Sequence, residues 1–189
     1  LGGFLGLTSY KPKGLISGDV VVDDIFNNLS VLTNLQATNV QFDKDTIGNI
    51  VLAGNYSSKS NSLSFDPKTG IFFKNSSIRA VGNVSLDSNN NQPINGYLHF
   101  NNALVHWINP FVSDYLSDLG GSINGKINVS GSASEPDING MLTLNDVKSK
   151  IDIIGTQYFI PSANIVVSND KFSLNNLQVL DRNNDKAIV

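Results

Sequence analysis

Apolar and polar residues alternate with a period of two along most of this chain, most clearly in its second half. Ile123, Gly125, Ile127, Val129 and Gly131 fall on one side of the alternation, with Asn124, Lys126, Asn128 and Ser130 on the other. After a turn predicted at Glu135-Pro136-Asp137, the apolar side continues through Ile138, Gly140, Leu142 and Leu144. Val147, Ser149, Ile151 and Ile153 follow, then Tyr158 and Ile160, then Ala163, Ile165 and Val167. Phe172 with Leu174 and Leu177 with Val179 close the series. Successive strand side chains point to opposite faces, so each run predicts a strand with one apolar and one wetted side. Connections such as Ser168-Asn169-Asp170-Lys171 and Asn175-Asn176 are too short for a parallel crossover and predict antiparallel pairing.

The first half shows the same pattern with more interruptions, and predicts strands over 18–23, 35–42, 49–56, 62–66, 70–74, 77–85 and 94–100. Asp66-Pro67-Lys68-Thr69-Gly70 predicts a turn, with Pro presetting φ and Gly permitting a positive one. One segment changes period. Asn109-Pro110 reads as a helix start, and Phe111, Val112, Tyr115, Leu116 and Leu119 recur at helical spacing before Gly120-Gly121. An amphipathic helix is therefore expected at about 110–119, with a backward extension through Leu104-Val105-His106-Trp107-Ile108. It would either cap the apolar face or pack as a satellite beside it.

A short unit recurs as well: apolar, polar, Gly, any residue, apolar. It appears around Gly18, Gly96, Gly125 and Gly140. A glycine at the inward position removes a side chain and lets a strand bend. The prediction is thus all-β, built by accretion of strand units, with the apolar face either open or hidden in a closed sandwich or barrel.

Composition sharpens this picture. Of 189 residues, 40% are apolar and only 15% charged, so charge does not hold the chain unfolded. Asn and Ser are abundant throughout, including the run Ser88-Asn89-Asn90-Asn91, and these residues disfavour helix interiors. The net charge is −3 and the basic residues form no stripe in the sequence, which argues against nucleic acid as a partner. Cysteine is absent, so disulfides, zinc-thiolate sites and thiol nucleophiles are excluded together. Leu1 to Leu7 is too short for a signal peptide or a membrane span, and no other segment reaches about eighteen apolar residues. The chain starts without Met and stops in mid-pattern at Ala187-Ile188-Val189, and reads as an excerpt of a longer protein.

Catalytic chemistry has little to build on. His99 and His106 are the two histidines, and no Gly-x-Ser-x-Gly elbow accompanies them. Asp23-Asp24 and Asp43-x-Asp45 are close carboxylate pairs at loop-like positions, read as solvated strand ends. Asp181-x-Asn183-x-Asp185 imitates the start of a calcium loop but lacks its Gly and distal Glu. The Asn-x-Ser sequons at Asn28, Asn55, Asn75, Asn83 and Asn128 are what such a composition produces by chance. The reading is non-enzymatic, with no cofactor and no metal.

From Gly121-Ser122-Ile123-Asn124-Gly125-Lys126-Ile127-Asn128-Val129-Ser130-Gly131-Ser132, through Pro136, to Asn139-Gly140-Met141-Leu142-Thr143-Leu144, the chain resembles the repeat of the AsmA-like TamB family. Tyr158-x-Ile160-Pro161, the strand 165–167, Leu180-Asp181-Arg182-Asn183 and the preceding Trp107-Ile108-Asn109-Pro110-Phe111 resemble members from Bacteroidetes-type bacteria. The resemblance is clearer over 94–189, strongest to 185, and only general over 1–93, so 1–189 is read as one fragment of a longer region. It transfers no catalytic residue.

The resemblance implies a curved antiparallel sheet forming a U-shaped β-taco groove. It also implies a large protein of the periplasm and cell envelope, anchored in the inner membrane. Two roles come with it: conducting phospholipid acyl chains towards the outer membrane, and assisting outer-membrane protein assembly with a barrel partner of the Omp85 type. Leu98, Phe100, Ile127, Val129, Leu142, Leu144, Ile151, Ile153, Ile165 and Val167 are the groove-lining candidates. Exposing one sixteen-carbon tail to water costs on the order of 10 kcal/mol at about 0.8 kcal/mol per CH₂, so an apolar groove suffices as mechanism. A surface adhesin or passenger-type β-solenoid is the main rival, disfavoured by irregular strand spacing. A carbohydrate-active β-sandwich enzyme is the third, disfavoured by a single Trp.

Overall fold

The computed structural model describes residues 12–42, 44–87, 93–132, 135–169, 171–175, 177–181 and 186–188. Leu1 to Leu7, Ser88 to Asn91, Asp43, Arg182, Asn183 and Asp185 lie outside the described residues, and with them the imitation calcium loop and one half of the Asp43-x-Asp45 pair.

Alternation of β-forming residues resolves into one antiparallel sheet of thirteen strands. In chain order these are β1 (Pro12–Asp23), β2 (Ser30–Phe42), β3 (Asp45–Ser57), β4 (Ser62–Phe65), β5 (Gly70–Phe73), β6 (Ser76–Ser85), β7 (Ile94–Leu104), β8 (Leu116–Gly131), β9 (Pro136–Ile151), β10 (Thr156–Ser168), β11 (Lys171–Asn175), β12 (Gln178–Asp181) and β13 (Lys186–Ile188). Chain order and spatial order nearly coincide, as short connections require. The exceptions are two interrupted rows. β4 and β5 both lie between β3 and β6, and β11 and β12 both pair with β10.

The interruption between β4 and β5 is the turn expected at Asp66–Gly70, but it does not reverse the chain. Both flanking strands run antiparallel to β3. Asp66 shapes the loop, its Oδ1 accepting from Lys68 N–H at 2.8 Å and its carbonyl from Thr69 N–H at 2.8 Å. Thr69 then fills the gap in the ladder. Its hydroxyl accepts from Ala53 N–H at 3.0 Å and donates to Ala53 C=O at 2.5 Å, standing in for a missing strand residue.

Four long strands carry an Asn or Asp in the left-handed region: Asn39 (φ 53°) in β2, Asn102 (φ 49°) in β7, Asp118 (φ 55°) in β8 and Asp146 (φ 50°) in β9. Asn and Asp tolerate this conformation best after Gly. The register shifts between Ala37 and Val40 and between Phe100 and Ala103, as at β-bulges. The same bond supports two of them: Asn39 N–H donates to Asn49 Oδ1 at 3.1 Å, and Asn102 N–H to Asn124 Oδ1 at 2.7 Å.

The expected helix is corrected. A 3₁₀ turn at Val105–Ile108 leads into one α-helical turn, α1, at Asn109–Val112, and Leu116 to Leu119 already belong to β8. Ten residues are marginal for a helix, and here the ladder competes: Leu116 pairs with Ile151, and Ser117 Oγ donates to Asp152 Oδ1 at 2.6 Å. Gly120 and Gly121 are strand residues, not a helix stop. Asn109 is not the cap either; its Nδ2 donates to Asp45 Oδ1 at 2.9 Å. Pro136 and Asp137, expected in a turn, open β9.

The core sits where the 3₁₀ turn folds over one end of the sheet. Trp107 packs with Val40, Ile47 and Ala103, ringed by Phe42, Ile50, Phe73, Ile78, Phe100 and Ile123. His106 Nε2 lies 3.2 Å from the Thr46 carbonyl, which ties the same turn to β3.

Candidate apolar binding face

Register converts the alternation into transverse rows. Ile16, Ala37, Ile50, Ile71, Ile78, Phe100, Gly125, Leu142, Ile165 and Leu174 are joined pair by pair across the sheet, without a polar member. A second row runs Val20, Thr33, Gly54, Phe65, Gly82, Gly96, Val129, Ile138. A third runs Ala80, Leu98, Ile127, Gly140, Val167, Phe172.

Eight of the ten groove candidates thus share one face: Leu98, Phe100, Ile127, Val129, Leu142, Leu144, Ile165 and Val167. Ile127 and Val167 are buried and the other six half-buried. Ile151 is half-buried and stands apart, beyond the irregularity at Asp146, opposite Leu116 and Thr156. Ile153 is corrected: β9 ends at Ile151, and Ile153 projects from the following turn at 81% exposure. Its backbone is drawn into that turn by Gly155 N–H bonding Ile151 C=O at 2.9 Å.

Much of this face is not covered. Among the described residues none with a large side chain is fully buried, while Leu52 is 43% and Leu63 36% exposed. A depression of about 320 Å³ lies among Val31, Leu52, Gly54, Tyr56, Leu63 and Phe65. Another of about 140 Å³ shares Phe65 and reaches Ala80, Gly82, Ile94, Leu98 and Val129. These first-half residues were not singled out in the sequence, because the family-like motifs lie further on; the alternation over 49–56 and 62–66 was the available signal.

The recurring glycines have a steric reason. A Cβ on Gly125 would lie 2.2 Å from the Met141 carbonyl oxygen, and one on Gly140 2.1 Å from that of Lys126. Both residues have positive φ (136° and 158°), so neighbouring backbones close over positions that only glycine leaves open.

The titratable candidates do not converge. His99 is exposed on the opposite, polar face, while His106 is tied to β3. Asp24 orders the β1–β2 turn, accepting from Asn27 Nδ2 at 3.0 Å and Asn28 N–H at 3.1 Å. The Asn27 side-chain bond first, then the Asn28 backbone bond, holds its carboxyl below the usual Asp value. No described helix is long and apolar enough to cross a membrane. No family model, curated protein or solved structure matches the chain.

Proposed function

We propose that this chain is a non-enzymatic segment of a TamB-like envelope protein whose apolar sheet face holds phospholipid acyl chains. The observation that carries the reading is the set of apolar rows crossing up to ten strands while staying half-exposed around the depressions at Leu52, Leu63 and Phe65. Large exposed apolar patches mark binding surfaces, and these rows have the continuity an acyl chain requires. One end of the face is closed by Trp107 and its neighbours, so lipid would occupy the remainder.

The test is lipid mass spectrometry on the purified chain, beside Leu63→Asp and Leu142→Asp variants. Folded wild-type protein is expected to carry phospholipid, and each variant several-fold less with an unchanged circular dichroism spectrum. Folded protein that stays empty after incubation with phospholipid vesicles would refute the reading.

One observation favours assembly with an Omp85-type barrel as a second role. β1 pairs on one side only, and all its residues are exposed, including Ile16 at 74% and Val20 at 53%. Such an edge templates an incoming strand. A peptide with alternating apolar residues should slow amide exchange in β1; unchanged exchange at saturation removes this role.

A further inference from the structure

The polar face carries a row that the lipid reading leaves unused. Arg79 on β6 is directly opposite His99 on β7, and His99 directly opposite Lys126 on β8. All three side chains are exposed. Neighbouring strands are about 4.8 Å apart, so the three residues begin within about 10 Å of one another.

The row sets two fixed positive charges on either side of one imidazole. The chain has acid to spare, with 16 carboxylates against 13 Lys and Arg. Yet the positions alternating with the triad on its own strands are Ser77, Val81, Tyr97, Asn101, Asn124 and Asn128, without a carboxylate. On the flanking strands the same face presents Gly70 and Phe72 on one side, Asn139, Met141 and Thr143 on the other. Among the described residues, the ion pair within 4 Å is Lys150 with Asp152, away from this row.

Aromatic rings hold the two outer cations instead. Lys126 Nζ lies 3.9 Å from the centre of the Tyr97 ring, and Arg79 Cζ 5.7 Å from that of Phe72. A cation over a ring keeps its charge while its N–H donors remain free for a further acceptor. The ends of the row are thus pinned, with the imidazole of His99 between them.

We propose that Arg79, His99 and Lys126 form a binding site for a phosphate group. A guanidinium fork pairs bidentately with phosphate, an ammonium adds a point charge, and the imidazole supplies a third donor. Three donors carried at paired positions on adjacent strands of one face suit the several oxygens of a phosphate better than a single carboxylate. The site lies on the opposite face from the apolar rows and does not depend on the lipid reading. Free phosphate and a phospholipid headgroup offer the same chemistry.

The test uses the isotopically labelled chain at fixed pH and ionic strength, with inorganic phosphate replacing chloride. Saturable shifts of the His99 ring and Arg79 side-chain resonances are expected. The double variant Arg79→Gln, Lys126→Gln should weaken binding about tenfold or more. Its thermal midpoint should stay close to that of the wild type, because both side chains are exposed. In parallel, flotation with phosphatidylcholine vesicles, with and without phosphatidylglycerol, separates the sources. Binding to the phosphatidylglycerol vesicles alone assigns the site to a headgroup; shifts with inorganic phosphate show that the free ion suffices. If neither probe binds, or the double variant binds as the wild type does, the proposal falls.

Discussion

Replacing Thr69 by valine isolates one hydroxyl on which the interrupted row β4–β5 depends. Thr69 is 8% and Ala53 6% exposed, and Oγ1 takes the Ala53 N–H at 3.0 Å. The Ala53 carbonyl has a second donor, Asp66 N–H at 2.9 Å, so it stays satisfied when the hydroxyl is lost. The amide has no such reserve. Valine keeps the β-branch and nearly the same volume, so shape and strand propensity change little. What remains is a buried unpaired donor, costing about 1–3 kcal/mol. At about 2–4 °C per kcal/mol for a chain of this size, the thermal midpoint should fall by roughly 2–12 °C. Urea unfolding should show a lower midpoint at an unchanged slope, and exchange of the Ala53 amide should accelerate. Thr69→Ser keeps the hydroxyl and should lose less than about 1 kcal/mol. Equal stability of the valine and serine variants, with the Ala53 amide still slow to exchange, would refute the ladder role of Thr69.

Two further changes probe backbone and charge. Gly140→Ala should destabilise by about 1–3 kcal/mol or more from the positive φ and the 2.1 Å approach to Lys126 O. Gly155→Ala, at φ 67° with nothing within 4 Å, should cost only about 1–2 kcal/mol; urea midpoints in the reverse order would contradict the steric account. Asp24 titrates below the usual Asp value when folded, so its contribution is fully present above the unfolded value of about 3.9 and is lost as pH falls through the lower folded one. The stability gap between wild type and Asp24→Asn should therefore close on acidification, and a gap independent of pH would contradict it.

The strands were legible because period-two alternation is local: each of the seven spans read in the first half lies on an observed strand, within a residue at its ends or extended there. What the local pattern could not supply was competition between partners. Tyr115, Leu116 and Leu119 have helical spacing, yet Leu116 has a strand partner in Ile151, thirty-five residues away. Ile153 continued the alternation of Val147, Ser149 and Ile151, but the chain turns there. Thr69 was legible as a turn residue, whereas its hydroxyl bonds to Ala53 are tertiary. Eight of the ten candidate residues fall on one face, because side is a local property. The rows across that face were not legible, because register across strands depends on where each strand slips.

Those slips also decide where the face is closed. The inward residue of β2 would pass from Ala37 to Asn39, and that of β7 from Phe100 to Asn102, if alternation ran on unbroken. It steps instead to Val40 and Ala103, which are 6% and 1% exposed and pack with Ile47 and Trp107. Holding one non-glycine residue in the left-handed region costs about 1–2 kcal/mol. Asn carries it at the low end, and the Asn49 and Asn124 side chains bond the displaced amides. Burying Val40 returns about 1.5–3 kcal/mol, enough to offset the strain in β2, while Ala103 returns only about 0.8 kcal/mol and its slip leans on the Asn124 bond as well. The Asn in each strand therefore does more than mark a polar interruption. It turns an apolar side chain inward at the level where the 3₁₀ turn can cover it. The nearest row, from Ala37 through Ile50, Ile71 and Ile78 to Phe100, still packs against this cluster; the rows further from it, around Leu52, Leu63 and Phe65, stay more open, and that is where the proposed acyl chain has room to lie.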